Sequence, residues 1–206
     1  MDPATHPGMD AGMEIVAETD RLVLRRFTRS DPELLVELDG DPAVMRFLTG
    51  GQTTSRVRVE TALLPAILRD YDRYPGFGAF ATHTKADGEF IGWCMLVPGS
   101  EGPPGEAELG YRLRKAAWGR GYAAEGSRAL IEYGFTARGL TRIFAETMAV
   151  NTQSRRVMEK VGLHYELTYI PPFAPIEGSE HGEVRYVLDY AEWQAARQRK
   201  NLQELS

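Results

Sequence analysis

Two glycines one residue apart, in the run Trp118-Gly119-Arg120-Gly121-Tyr122-Ala123-Ala124-Glu125, carry the most chemical information in this sequence. They fall between an alternating, strand-like pattern and the start of a helical one. Glycine lets a backbone approach a ligand closely and adopt angles that a side chain forbids. The first turn of a helix offers amides without intrahelical acceptors and a partial positive charge. Together these features hold a pyrophosphate, and Arg114, Lys115 and Arg120 add cations beside it. The same letters satisfy Gly-x-Gly-x-x-Ala, the dinucleotide fingerprint, with Glu146 near the end of the next strand where an acid for a ribose would stand. A plain glycine turn before a core helix is the third reading.

Two further pairs have useful spacing. Glu106 and Glu108 lie two apart in an alternating run and so share one strand face; either is a candidate proton acceptor or a polar strand residue paired with Arg112. Asn151 and Ser154 open a helical pattern, where their ordinary work is capping. Cys94, the one cysteine, sits in the apolar run 90–97 and reads as a core thiol. The histidines His6, His83, His164 and His181 lack metal-ligand spacing, so no metal site is expected.

The elements that must position these residues follow from periodicity. Leu22 and Leu24 mark a strand within 19–27, and Ser30-Asp31-Pro32 starts a helix with Leu34, Leu35 and Leu38 on its apolar stripe. A helical region over 53–71 contains Pro65, which should divide or bend it. Strands at 79–84 and 90–97 form a hairpin through Lys85-Ala86-Asp87-Gly88, followed by a loop over 98–105. Strand 106–113 places Ala107, Leu109, Tyr111 and Leu113 on one face, with Glu106, Glu108 and Arg112 on the other. Helix 121–138, strand 142–147 and helix 152–161 come next, then strands 163–169 and 184–189 and a polar helix from 191. Hairpins followed by one strand-helix-strand unit that needs a parallel neighbour predict a single mixed, mostly antiparallel sheet of six to seven strands, flanked by helices on both faces.

At 206 residues with 43% apolar side chains, the chain fits one domain with a substantial core. Residues 1–18, rich in small and turn-forming types, read as a flexible extension in which Met9 or Met13 could equally begin the protein, and 19–206 as the folded domain. A net charge of −5 and a pI near 5.5 argue against a nucleic-acid partner. No apolar run reaches membrane-spanning length, and a lone cysteine fits a reducing cytoplasm. Against the dinucleotide reading, five residues separate Leu113 from Gly119, whereas that turn follows its strand tightly, and the earlier strands are hairpins.

With these motifs in place, the chain resembles the GCN5-related N-acetyltransferase (GNAT) superfamily and is similar to its RimJ/RimL-like branch. The resemblance runs through Glu18-Thr19-Asp20-Arg21-Leu22, from Glu106 to Ala124, from Asn151-Thr152-Gln153-Ser154 to Gly162-Leu163, and on to Tyr186 and Trp193. It implies the GNAT fold and an acetyl-CoA-dependent acyltransferase needing no metal. It also implies that the loop Gly119 to Ala124 binds the coenzyme A pyrophosphate through backbone amides, with Trp118, Arg120, Gly121, Tyr122 and Ala123 among the contacts. Leu113 and Arg114 would run along the pantetheine, and an amide near them would face the oxyanion. Asn151 and Ser154 would contact the pantetheine or line the thiol. Trp118 stands where many members carry glutamine or arginine, and Met158 where many carry a tyrosine that protonates the departing sulfur. Ser154 is then the candidate donor, with Tyr165 or Tyr122 as compensating groups.

Attack of an amine on a thioester needs a neutral amine. A terminal α-amine costs only about 1 kcal/mol to deprotonate at neutral pH and a lysine about 4 to 5 kcal/mol. The resemblance makes Glu108 the preferred base, directly or through water, with Glu106 as the alternative. The expected acceptor is a primary amine, on a protein N-terminus or a small molecule. The segments 46–51, 71–77 and 171–182 would wall the acceptor cleft. A coenzyme A-binding sensor or scaffold that lost catalysis is the reading from another class, an O-acetyltransferase a variant within the enzyme class, and a homodimer the expected assembly if the chain self-associates.

Overall fold

The computed structural model describes residues 13–99, 104–172 and 175–204. One sheet of eight strands runs in the order β1-β2-β3-β4-β5-β6-β8-β7. Strands β1 (Ile15–Glu18), β2 (Leu22–Arg26), β3 (Gly78–Thr84), β4 (Phe90–Pro98) and β5 (Glu106–Leu113) pair antiparallel in succession. Strands β6 (Arg142–Met148), β7 (His164–Tyr169) and β8 (Glu183–Asp189) form a second antiparallel group. The sheet exceeds the expected six to seven strands because Ile15–Glu18, assigned from sequence to the extension, pairs with β2 as an edge strand. The rest of that extension, 1–12, lies outside the described residues.

Helices cover both faces. Helix α1 (Pro32–Asp39) starts at Pro32 as expected, but Asp31 gives its neighbouring amides no side-chain cap. Its carboxylate instead accepts two 2.9 Å hydrogen bonds from the buried Arg25 guanidinium and one from the Thr28 amide. Helix α2 (Pro42–Thr49), unassigned from sequence, takes in part of the cleft segment 46–51: Asp41 caps the Ala43 amide, Pro42 suits the first turn, and Gly50 closes the helix at φ 67°. Helix α3 (Arg56–Arg58) widens into a π turn over Val59–Leu63 and continues as α4 (Leu64–Arg73). Pro65 explains the widening, since its ring cannot fit against the carbonyl of Thr61 in a regular turn.

On the opposite face lie α5 (Tyr122–Ala137), α6 (Thr152–Lys160) and α7 (Tyr190–Glu204). Leu109, Leu130 and Ile143 are fully or almost fully buried between α5 and the sheet, each contributing roughly 1.5–3 kcal/mol. Helix α5 lies close on β4 because a Cβ at Gly126 would come within 2.7 Å of the Cys94 sulfur. Phe27, Leu35, Leu38, Val59 and Phe90 form the second core, under α1 to α4. Trp193 of α7 packs on Phe135 at 5.3 Å between ring centroids. Among the described residues no helix is long and apolar enough to cross a membrane.

Candidate active site

The two antiparallel groups meet only where β5 and β6 run parallel, and that ladder spans just Glu106–Glu108 against Arg142–Phe144. Beyond it the strands diverge, leaving a fork in the sheet. Arg114 donates its amide to Ile91 O at 2.9 Å. Since amides alternate along a strand, those of Arg112 and Gly110 also face β4, while those of Tyr111 and Leu113 turn toward the fork. An amide near Leu113 or Arg114 is expected to face the oxyanion; Arg114's is committed to Ile91 and Leu113's faces the opening. The Leu113 carbonyl accepts from Trp118 Nε1 at 2.8 Å, which fixes the start of the glycine loop.

Between β5 and α5, a 3-10 turn over Lys115–Ala117 leads to Gly119 at φ 73° and Gly121 at φ 81°, angles that favour glycine. Gly119 faces open space; at Gly121 only Arg21 approaches, 3.6 Å from where a Cβ would stand. Helix α5 has no side-chain cap, and its ladder opens with Glu125 N–H donating to Gly121 O at 3.0 Å. The amides of Tyr122, Ala123 and Ala124 precede that bond and have no helical acceptor. An open glycine turn before uncapped amides fits a diphosphate.

Of the cations expected at this helix end, Arg120 is present and Arg114 is turned away, and Arg21, not among those expected, joins Arg120. Arg120 lies over the Tyr122 ring at 5.1 Å and Arg21 over the same ring at 4.7 Å. Arg21 also donates to Glu125 at 2.7 Å and to Arg120 O at 3.2 Å. Arg114 points its guanidinium away, to Glu37, to Glu89 and to Phe90 O at 3.0 Å. The sequence places Arg21 a hundred residues from the loop, and only its membership of the Thr19-Asp20-Arg21 motif signalled it.

Glu108, the last residue of the parallel ladder, stands at the fork. It lies on the face of β5 where Arg112 pairs with the buried Asp39 of α1 at 2.6 Å. Burial pushes its carboxyl above the usual range, nearby Glu146 adds to the rise, and Arg185 offsets it. Glu106 lies 3.9 Å from Arg142. Glu146, the candidate ribose acid, is instead bonded to Arg185 at 2.8 Å.

Ser154 is in the first turn of α6, where Asn151 caps its amide at 3.3 Å and donates to Thr147 Oγ1 at 3.0 Å. Tyr111, from the other face of β5, reaches Ser154 Oγ at 2.9 Å, a contact that sequence reasoning missed because it joins residues 43 apart. Met158 is buried in the core. Tyr165 is half exposed and bonded to Thr168, and Tyr122 is buried beneath the two arginines. Burial pushes the Cys94 thiol up to about 12, consistent with a core role. Among the described residues no group of three His, Cys, Asp or Glu side chains is placed to hold a metal ion.

The acetyltransferase (GNAT) domain profile matches residues 21–164, most of the chain. This chain belongs to the GNAT acetyltransferase family. FsC-acetyl coenzyme A-N(2)-transacetylase of Aspergillus fumigatus is 36% identical over 185 residues, 85% of this chain and 76% of that protein. YkkB of Bacillus subtilis is 33% identical over 161 residues, 78% of this chain and 90% of its own. Among solved structures, RimL, a ribosomal alpha-N-protein acetyltransferase in complex with coenzyme A, superposes with a TM-score of 0.74 at 18% identity, covering 87% of this chain and 99% of RimL. RimJ of Mycobacterium smegmatis, in complex with a coenzyme A disulfide, gives 0.69 at 22% identity over 87% and 86% of the two chains. These two show a common fold. As a GNAT enzyme the chain is an acetyl-CoA-dependent N-acetyltransferase, which sets aside the dinucleotide and sensor readings.

Proposed function

We propose that this enzyme transfers acetyl directly to a primary amine, a protein N-terminus or a small-molecule amine, in a ternary complex built across the fork. The observation that carries the reading is the placement of Glu108 and Ser154. The carboxylate stands on the α1 side of β5, and the hydroxyl is bonded to a residue on the α6 side. An amine arriving from the first face gives its proton to Glu108 while sulfur departs beside Ser154 on the second. Acetyl-CoA supplies the activated acyl group. The amides of Tyr122, Ala123 and Ala124 hold its diphosphate, and the Leu113 or Tyr111 amide faces the acyl oxygen. A carboxyl raised by burial is a stronger base for an amine than an exposed one. Glu146 and Glu183 on the same face as Glu108 favour the approach of an ammonium ion.

The FsC transacetylase name places acetyl on an N(2) nitrogen, in keeping with an amine acceptor. The same reading puts the enzyme in a reducing cytoplasm, which suits its free buried Cys94. A homodimer would cover the outer edge of β7, where Tyr165, Leu167 and Ile170 are exposed.

The test is thiol release from acetyl-CoA with a panel of peptides with free N-termini, diamines and amino sugars, comparing the native enzyme with Glu108→Gln. Turnover of at least one amine, reduced about 100-fold in kcat by Glu108→Gln at unchanged coenzyme A affinity, supports the reading. Native-like kcat in the variant removes Glu108 as the base.

A further inference from the structure

Tyr111 is the polar group at the fork that this chemistry leaves unused. It stands three residues beyond Glu108 on the opposite face of β5, and its hydroxyl is 2.9 Å from both the Ser154 carbonyl oxygen and Ser154 Oγ. A phenol has one proton and can give it to only one of them. If the proton goes to the carbonyl, the contact with Oγ is satisfied only by the serine donating to the phenol, which turns the serine proton away from a leaving group. If it goes to Oγ, the serine proton is free for a third acceptor. The carbonyl does not depend on the phenol, because within α6 it is the helical acceptor for the Met158 amide. The second arrangement therefore gives up one hydrogen bond without stranding the carbonyl, and a developing negative charge beside Ser154 selects it by accepting the freed serine proton.

Other features narrow the choice of group. Met158, one turn further along α6, is a buried thioether with no proton to give. The Asn151 cap fixes the Ser154 backbone, so that Ser154 has only its side-chain rotor to adjust. Burial keeps the Tyr111 phenol protonated well beyond the ordinary tyrosine range, so it acts as a donor and not as a phenolate.

We propose that Tyr111 is a positioning residue for acetyl transfer: by donating to Ser154 Oγ as the thiolate departs, it turns the serine proton onto the sulfur. This rests on the reading of Ser154 as the sulfur's hydrogen-bond donor. In the step, the amine nitrogen forms a bond to the acetyl carbon, the carbon–sulfur bond breaks, and its electron pair goes to sulfur. The surplus amine proton passes to Glu108 and from there, through solvent, to the thiolate. Ser154 and Tyr111 reorient and keep their protons. Two linked hydroxyls polarise one another, so the pair stabilises the thiolate more than the serine alone.

A double-mutant cycle tests this with acetyl-CoA and the amine of highest turnover in the panel above, or water where none turns over. Tyr111→Phe should lower kcat about 10-fold or more, and Ser154→Ala about 100-fold. The double variant should fall within about 3-fold of Ser154→Ala, because residues acting as a unit are not additive. Coenzyme A affinity of Tyr111→Phe by calorimetry should stay within about 2-fold of the native enzyme's. A Tyr111→Phe enzyme with native kcat beside a slowed Ser154→Ala overturns the positioning role and leaves Ser154's role standing. Losses that multiply in the double variant, or a loss explained by weaker coenzyme A binding, also overturn it. Native kcat in Ser154→Ala overturns both readings. If Tyr111→Phe does not fold, 3-fluorotyrosine at position 111 keeps the shape and changes the phenol's acidity. A changed kcat at constant KM then supports the proposal, and an unchanged kcat overturns it.

Discussion

Helices α5 and α6 both begin at the fork, each directly downstream of one diverging strand, yet their first turns are finished differently. Helix α5 opens on a left-handed glycine with no side-chain cap, leaving the amides of Tyr122, Ala123 and Ala124 with no helical acceptor to donate to. Helix α6 opens on Asn151, whose carboxamide caps the Ser154 amide and ties back to Thr147 at the end of β6. The first end keeps its donors for an anion. The second spends a donor to fix the backbone of one side chain, Ser154. An unfilled helix end beside a filled one thus separates ligand holding from side-chain placement.

The sharpest way to break this contrast is to fill the open end. Gly121→Glu adds a carboxylate in front of the α5 amides and a side chain at a φ of 81°. Losing two charge-assisted hydrogen bonds weakens binding by roughly 3 to 6 kcal/mol, so calorimetry should find acetyl-CoA affinity reduced about 100-fold or more. The backbone strain costs only about 1 to 2 kcal/mol of stability, so the variant should still fold. Retained affinity would mean that the loop is a plain turn.

Next in size is Glu108, whose substitution separates chemistry from binding and also carries a pH signature. In the unfolded chain this carboxyl titrates in the ordinary range, about 4.3; folding raises it through burial and the charge of Glu146. Below about pH 4 both states are protonated, and the folded state gains from its preference for the neutral form. As pH rises through the raised value, the fold must hold a buried carboxylate and loses that gain. Glu108→Gln should therefore melt above the native enzyme at pH 8, and the difference should vanish by pH 4. Equal melting temperatures at both pH values would show that the carboxylate is hydrated and poorly suited to act as a raised base.

Much of this site was legible in the sequence because its parts are local. The loop from Trp118 to Ala124 announces itself by glycine spacing at a helix start, and β5 announces its two faces by alternation, so Glu108 and Tyr111 could be assigned to opposite sides without coordinates. What stayed hidden depends on distant pairing. The fork exists because the β5–β6 ladder stops after Glu108, and nothing in either strand's composition marks that end. Helix α2 goes unassigned from sequence although Asp41-Pro42 and Gly50 supply its cap, first turn and stop. Edge strand β1 is only four residues long and its alternation is too short to register.

Removing the cap at the filled end is a smaller perturbation. Asn151→Ala should cost about 1 kcal/mol in urea unfolding and lower kcat through a less well placed Ser154, while acetyl-CoA affinity changes less than the rate. Affinity falling as far as the rate would make Asn151 a ligand contact first and a cap second.

The smallest expected effect decides which arginine serves the open end. Arg21 stands beside Gly121 and compensates Glu125, which would otherwise put an unpaired negative charge in the first turn of α5. Arg114 is adjacent to the loop in sequence, but its guanidinium faces Glu37 and Glu89. Arg21→Ala should weaken acetyl-CoA binding about 2- to 5-fold, in line with a helix-end charge worth roughly 0.3–1 kcal/mol, and the loss should shrink as salt is raised. Arg114→Ala should leave affinity unchanged and cost at most about 1 kcal/mol of stability, as exposed pairs do. Calorimetry on both variants at low and high salt separates them. Equal losses would mean that Arg114 swings to the diphosphate on binding, and that proximity in sequence is the better guide to this helix end than the pairing seen here.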